Sequence, residues 1–398
     1  MSTQTITSRE RVRLALNHQE PDRVPIDITW TKVPYIDVRR QLGLPQEDVK
    51  PDVWDRVRPA MDVIEKLHCD FVWVGLKGPS TRRKFSFDLD SYSDEWGVTF
   101  CKVRRPDGGY QFEIRGSPIT APSLEVIESF TWPDPLDPAR YEAVGDAVRH
   151  LYATTDYALC ARLGDNVWEQ ANYSSGQANW LELLVTHPDY CVALMERIAK
   201  IQKTVYLEGL KHIGKYLSLI RLGGEDFGTQ GGLLISPRMF RTMVKPILKD
   251  IYLAVKERLA DMGNYDCKLM LHSCGGIEPL INDFIEIGVD VLDPVQTRAK
   301  RMNALHLKQT YGGRICFHGG IDTQGILPFG SPADVAEETR RKLESFAPGG
   351  GYILCPTHNV QADVTGENIV AMVEAAMQYG TYPMAQTYAP EFLLAMDH

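Results

Sequence analysis

One histidine and two cysteines stand where folding could bring them to a single point. The first two lie in His272-Ser273-Cys274-Gly275-Gly276, directly after the apolar run Lys268-Leu269-Met270-Leu271. The third residue is Cys355, directly after Tyr352-Ile353-Leu354. An apolar run ending on polar residues or glycines reads as a buried strand that delivers side chains to its C-terminal end. If both strands belong to one parallel barrel, those ends share a face, and His272, Cys274 and Cys355 can meet there. One nitrogen and two sulfur donors with a fourth position open make the donor set of a catalytic zinc site; a structural zinc is normally closed by four protein ligands. The alternatives are ordinary buried cysteines and a core histidine with its hydrogen bonds met, and spacing alone leaves them open.

Other candidates gather around the same strand ends. Leu217-Ser218-Leu219-Ile220-Arg221-Leu222 runs into Gly223-Gly224-Glu225-Asp226-Phe227-Gly228. Carboxylates beside glycines suit an active-site loop, because backbone can approach a ligand there. A helix-capping loop is the alternative. Asp27 and Trp30 fall near the end of the strand-like stretch from Val24 to Trp30, where Asp27 could face the site or bond a neighbouring loop. His358 and Asn359 follow Cys355 and could orient its thiolate from behind. Cys69, Cys101, Cys160, Cys191, Cys267 and Cys316 have no partner at ligand spacing and read as structural. Cys267 also sits at the start of its strand, the wrong end of a barrel.

The elements that must position these groups alternate. Strand-like runs occur at 24–30, 70–75, 157–162, 217–222, 268–272, 289–293, 315–320 and 352–355, with helical periodicity between the later ones. Eight strand–helix alternations imply a (β/α)8 TIM barrel, whose active site lies at the C-terminal ends of the strands. An amphipathic helix with Ser8 as N-cap precedes it. From about 84 to 122 the pattern changes to a β-hairpin, residues 96–103 and 110–114 around Gly108-Gly109, expected as an insertion beside the barrel. The whole chain, 1–398, is expected to be one domain carrying that hairpin.

Composition narrows the function classes. The 398 residues carry a net charge of −9 and no Lys/Arg-rich run, which argues against nucleic acid as the main partner. No run of about 18 apolar residues exists, so no membrane span is expected. Scattered cysteines, and a first segment without an apolar core, lead to the expectation of a cytoplasmic protein with free thiols.

Taken together, several stretches resemble the uroporphyrinogen decarboxylase superfamily over nearly all of the chain. They are Arg9-Glu10-Arg11-Val12-Arg13, Asp22-Arg23-Val24-Pro25, Glu225-Asp226-Phe227-Gly228 with Ser236-Pro237, His272-Ser273-Cys274-Gly275-Gly276, His318-Gly319-Gly320-Ile321-Asp322 and Cys355-Pro356. The decarboxylase branch carries Arg-Gln-Ala-Gly-Arg-Tyr near its N-terminus, to hold a polycarboxylate tetrapyrrole. The corresponding stretch here, Ile26-Asp27-Ile28-Thr29-Trp30, has no arginine. The corrinoid methyltransferase branch instead carries His-x-Cys on one strand and a later Cys, and His272, Cys274 and Cys355 match it.

That resemblance implies zinc on those three residues and transfer of a methyl group between a small molecule and the cobalt of a corrinoid. Asp-x-His-x-x-Gly, the motif that supplies the lower ligand of cobalt, is absent from the sequence, so the corrinoid would arrive on a separate protein or as a free cofactor. Glu225 and Asp226 are the expected catalytic carboxylates, supplying a proton or a fourth zinc ligand. His318 and Asp322 match positions near the family's substrate pocket, joined by Asp27, Trp30, Phe227 and Asn359. Aromatic, mildly acidic walls favour an O-methyl aromatic ether as donor over an anionic thiol acceptor, for which Arg221 is the one obvious anchor. Alternatives are a corrinoid:thiol methyltransferase, a decarboxylase of a smaller or uroporphyrinogen-like substrate, and a non-catalytic zinc- or cobamide-binding protein. A homodimer is a further expectation.

Overall fold

The computed structural model describes residues 6–81, 85–105 and 110–384. Seven parallel strands lie side by side in chain order: β1 (Phe71–Gly75), β2 (Ala158–Arg162), β3 (Leu219–Arg221), β4 (Lys268–His272), β5 (Val291–Val295), β6 (Cys316–Ile321) and β7 (Tyr352–Pro356). Segment 24–28 fills the gap between the last strand and the first. Leu354 N–H donates to Pro25 O at 2.9 Å, Asp27 N–H to Leu354 O at 3.0 Å, and Asp70 N–H to Ile26 O at 2.9 Å. The result is the (β/α)8 barrel that the alternation implied, with 24–28 as its eighth stave.

Its N-terminal end is sealed by α1 (Ser8–Leu16). Val12 and Leu16 reach into the lumen and pack with Phe71, Ala158, Cys160, Leu219, Met270, Val291, Cys316 and Ile353. Cys160 and Cys316 are therefore filling, as expected, and burial pushes both thiols up. The helix is capped by Thr7, whose side chain accepts from Glu10 N–H, and not by Ser8. Ser8 is occupied elsewhere, donating to Asp70 at 2.8 Å. Asp70 is fully buried and also pairs with Arg11 at 2.7 Å and Arg23 at 2.8 Å. Two of the arginine motifs noticed in the sequence thus converge on one carboxylate beneath the barrel.

Two further features depart from expectation. The strand placed at 289–293 runs instead over Val291–Val295, because Gly288 at φ 102° ends the preceding helix and Val289 N–H still bonds back to Phe284 O. The insertion holds a third strand: Ser91–Ser93 pairs with Thr99–Arg104, which pairs with Tyr110–Gly116, all antiparallel. Gly108 and Gly109, expected at its turn, lie outside the described residues. Trp96 Nε1 donates to Asp165 at 3.1 Å, tying this small sheet to the loop that leaves β2. Among the described residues no helix is long and apolar enough to cross a membrane.

Candidate active site

Strand periodicity builds the site. Side chains two apart on a strand point to the same side. Met270, Val291, Cys316 and Ile353 face the lumen against α1, so His272, Asp293, His318 and Cys355 face it too, one layer nearer the C-terminal mouth. The lower layer is packing and the upper layer is chemistry.

Asp293 joins that upper layer together. Its carboxylate accepts from His272 Nδ1 at 2.6 Å through one oxygen and from His318 Nδ1 at 2.7 Å through the other. Burial alone would raise the Asp293 carboxyl, but the two histidines hold it well below the usual carboxylate range. An ionised carboxylate only accepts, so both Nδ1 atoms carry protons. His272 is then left with Nε2 available, and that atom lies 3.5 Å from Cys274 Sγ and 3.8 Å from Asp226. His318 differs: its Nε2 is 3.1 Å from Asp27, which also accepts from Trp73 Nε1 at 3.0 Å. With a carboxylate at each nitrogen, His318 is held charged. Burial works against this, but Cys355, Asp293 and Asp27 together raise its pKa well above the ordinary histidine value.

Two groups of donor atoms result. His272, Cys274 and His358 each offer one donor, all within 4.8 Å of one another; so do Asp27, His318 and Cys355. The structure therefore brings two of the three expected metal ligands, His272 and Cys274, together, and sets Cys355 beside His318. Burial pushes the Cys355 thiol up to about 11, with His318 pulling it the other way. The Cys274 thiol is raised further, first by burial and then by Asp226 and Asp293. A thiol among carboxylates keeps its proton until a cation arrives, and a coordinating metal deprotonates it outright. His358 is half-buried, its ring centre 6.0 Å from that of His272. Burial, with Arg221 adding to it, pushes it down to about 4.

The Cys274 turn is fixed by a close backbone contact. Gly275 sits at φ +88°, and a Cβ there would lie 2.5 Å from the Gly228 backbone. Only glycine lets the two loops touch. Cys274 N–H donates to Asp226 at 2.8 Å, and Phe227 N–H to Ser273 Oγ at 3.2 Å, locking the carboxylate loop to the His-x-Cys loop.

Other expected residues have definite employments. Glu225 accepts from the N–H groups of Val167 and Trp168 at 2.7 Å each, at the start of α2 (Trp168–Ser175); burial nonetheless pushes it up to about 8. Phe227 is buried among Trp168, Phe240 and Phe284. Asp322 pairs with Arg298 at 3.0 Å and accepts from the N–H groups of Gln324 and Ile326. Trp30 and Asp27 line a small cavity with Arg58, Met61 and Trp73. Asn359 is half-buried beside His358.

Two further residues belong here that the sequence reading passed over. Asp293 is one; its signal was a carboxylate at the end of a barrel strand. Glu169 is the other. It is bonded to Asn166, and both it and His272 line the space above Gly224, where a Cβ would lie 3.4 Å from His272 and 3.5 Å from the Glu169 carboxylate. Burial, then Asp226, pushes Glu169 up to about 8, so it holds a proton at neutral pH. No local motif announces it, because it enters from the first turn of α2.

A family model described as "Uroporphyrinogen decarboxylase (URO-D)" matches residues 110–379. The chain belongs to this family. Two curated relatives, both uroporphyrinogen decarboxylases, illustrate the distance. The protein of Xylella fastidiosa is 27% identical over 41% of this chain and 46% of its own length, so that match spans about half of the relative. The protein of Idiomarina loihiensis is 24% identical over 93% of this chain and 96% of its own. Among solved structures, a methyltransferase from Methanosarcina mazei superposes with a TM-score of 0.66 at 16% identity, covering 94% of this chain and 99% of that one. At that identity the superposition establishes the URO-D-type barrel. What reaction a given URO-D barrel runs depends on the groups at its mouth.

Proposed function

We propose that this URO-D family member is a zinc-dependent methyltransferase, moving a methyl group between a small methylated donor and the cobalt of a corrinoid that arrives on a separate protein or free. The observation that carries the reading is the His272–Cys274 pair at the barrel mouth, with His272 turned by Asp293 so that Nε2 faces the Cys274 sulfur. Nitrogen and sulfur donors at this spacing, backed by a carboxylate on the far side of the imidazole, fit zinc. When bound, zinc supplies Lewis acidity without redox chemistry.

The chain's own residues do the rest. His272 and Cys274 hold the ion, and Asp293 fixes the imidazole tautomer. Glu169, protonated and close to His272, is placed to give a proton to a leaving oxygen. Asp226, 36% exposed, holds the Cys274 turn and faces the same space. Trp73 braces Asp27 beside His318. Arg221 lies beside Asp293 and is not left free for a small anion, which favours a neutral donor such as an aromatic methyl ether.

Charge argues against a polycarboxylate substrate. Asp27, Asp226 and Asp293 lie at the mouth, and Arg221 lies 3.8 Å from Asp293, its charge partly answered there. Decarboxylation is the second reading, favoured by the function of the curated relatives and by Asp27 hydrogen-bonded to charged His318. One assay separates the two. Reduced corrinoid, free or protein-bound, is mixed with the enzyme and methoxylated aromatics, methylamines or thiols, and its absorbance followed. A shift to the methylated spectrum with a methyl ether supports the proposal. Carbon dioxide release from a carboxylic substrate without any methyl shift overturns it, and activity with thiols alone overturns the donor class.

A further inference from the structure

We propose that the metal is held by His272, Cys274 and His358, a set with one thiolate, and that Cys355 serves instead in a buried group with Asp27 and His318. This rests on the metal-dependent reading above.

Lone pairs decide between the two donor groups. In the first, Asp293 occupies only the far nitrogen of His272, which leaves Nε2, Cys274 Sγ and a ring nitrogen of His358 converging within 4.8 Å. In the second, His318 meets a carboxylate at both nitrogens, 2.7 Å from Asp293 and 3.1 Å from Asp27. Each of those contacts needs a proton on the nitrogen, so His318 has no lone pair for a cation. A metal there would also displace a charge already paired with two buried carboxylates. Cys355, 2% exposed, lies beside that charge.

Topology points the same way. β4, which carries His272, and β7, which carries Cys355, are separated by β5 and β6. His358 follows β7 by two residues, past the end of the strand, and its donor atom lies within 4.8 Å of those of His272 and Cys274. The loop is anchored beyond the histidine by Val360 N–H donating to Thr29 O at 2.9 Å.

Ligand charge gives the assignment a chemical consequence. Two neutral imidazoles and one thiolate leave a divalent ion with a net positive charge; a second thiolate would cancel it. The one-thiolate set is the stronger Lewis acid, suited to polarising an ether oxygen, whereas a neutral two-thiolate set suits thiol chemistry.

The test counts sulfur atoms on the metal. X-ray absorption at the zinc edge is recorded on the full-length wild-type protein, with the cobalt(II)-substituted form examined for thiolate-to-cobalt charge-transfer absorbance. One sulfur per metal, with stoichiometric zinc retained in Cys355→Ser and lost in His358→Ala, supports the assignment. Two sulfurs per metal in the wild type overturn it while leaving the metal-dependent reading intact. Wild-type protein that binds no zinc at all overturns both. The wild-type spectrum decides even if a variant fails to fold.

Discussion

Replacing Asp293 by Asn tests the arrangement that the site depends on. The carboxylate accepts two imidazole N–H groups, at 2.6 and 2.7 Å, from His272 and His318. An amide of the same shape has one accepting oxygen and one donating nitrogen, so it can satisfy only one of them. The other histidine must turn or move its proton to Nε2. If His272 does so, the lone pair facing Cys274 is lost. Removing a carboxylate behind a metal-bound histidine typically weakens binding ~10–100-fold, which is ~1.4–2.8 kcal/mol at ~1.4 kcal/mol per tenfold. Zinc affinity would be measured by competition with a chromophoric chelator, on protein whose melting in EDTA shows that the barrel is intact. Asp293→Asn binding zinc as tightly as wild type, while folded, would refute the role given to this residue.

Three further outcomes follow from the described contacts. Glu169 and Glu225 are both held at about 8 in the folded protein, above an ordinary carboxyl, so the native state binds the extra protons and stability falls as pH rises from about 4.5 through 8. Glu169→Gln, which mimics the protonated acid, should reduce that slope, with Glu225 supplying what remains; chemical denaturation at pH 5 and pH 8 gives both values, and an unchanged slope counts against it. Leu16→Ala leaves a hole where α1 enters the lumen and should cost ~2–5 kcal/mol by the same denaturation, being a buried leucine truncation. Asp70→Asn breaks a buried carboxylate away from Arg11 and Arg23 and should cost ~3–5 kcal/mol; a loss below 1 kcal/mol would show those pairs to be dispensable.

Much of this architecture was legible in residue patterns, because a barrel strand buried on both faces is a short apolar run and the chemistry sits where it ends. His272 and Cys274 were readable for that reason. For Glu225 the helix-capping alternative was readable but its partners were not, since Val167 and Trp168 are nearly sixty positions away. Glu169 was invisible for the opposite reason: it looks like any first-turn glutamate, and only the approach of α2 to Gly224 gives it a place. Asp293 precedes a proline, which reads as the end of a strand; yet the strand continues through Pro294 to Val295. The His358 placement depends on how the chain turns after β7, which no spacing rule predicts.

The closure of the barrel also governs when it can form. The stave at 24–28 waits for a partner far along the chain, because Pro25 and Asp27 bond Leu354 in β7. Until residue 354 has been made, the stave at 24–28 and β6 present open edges, and α1 has only part of the lumen floor to lie on. Contacts so distant along the chain make a slow, late closing step. Before that step the nascent barrel is an unsealed sheet with exposed edges, the form most prone to pair with a neighbour.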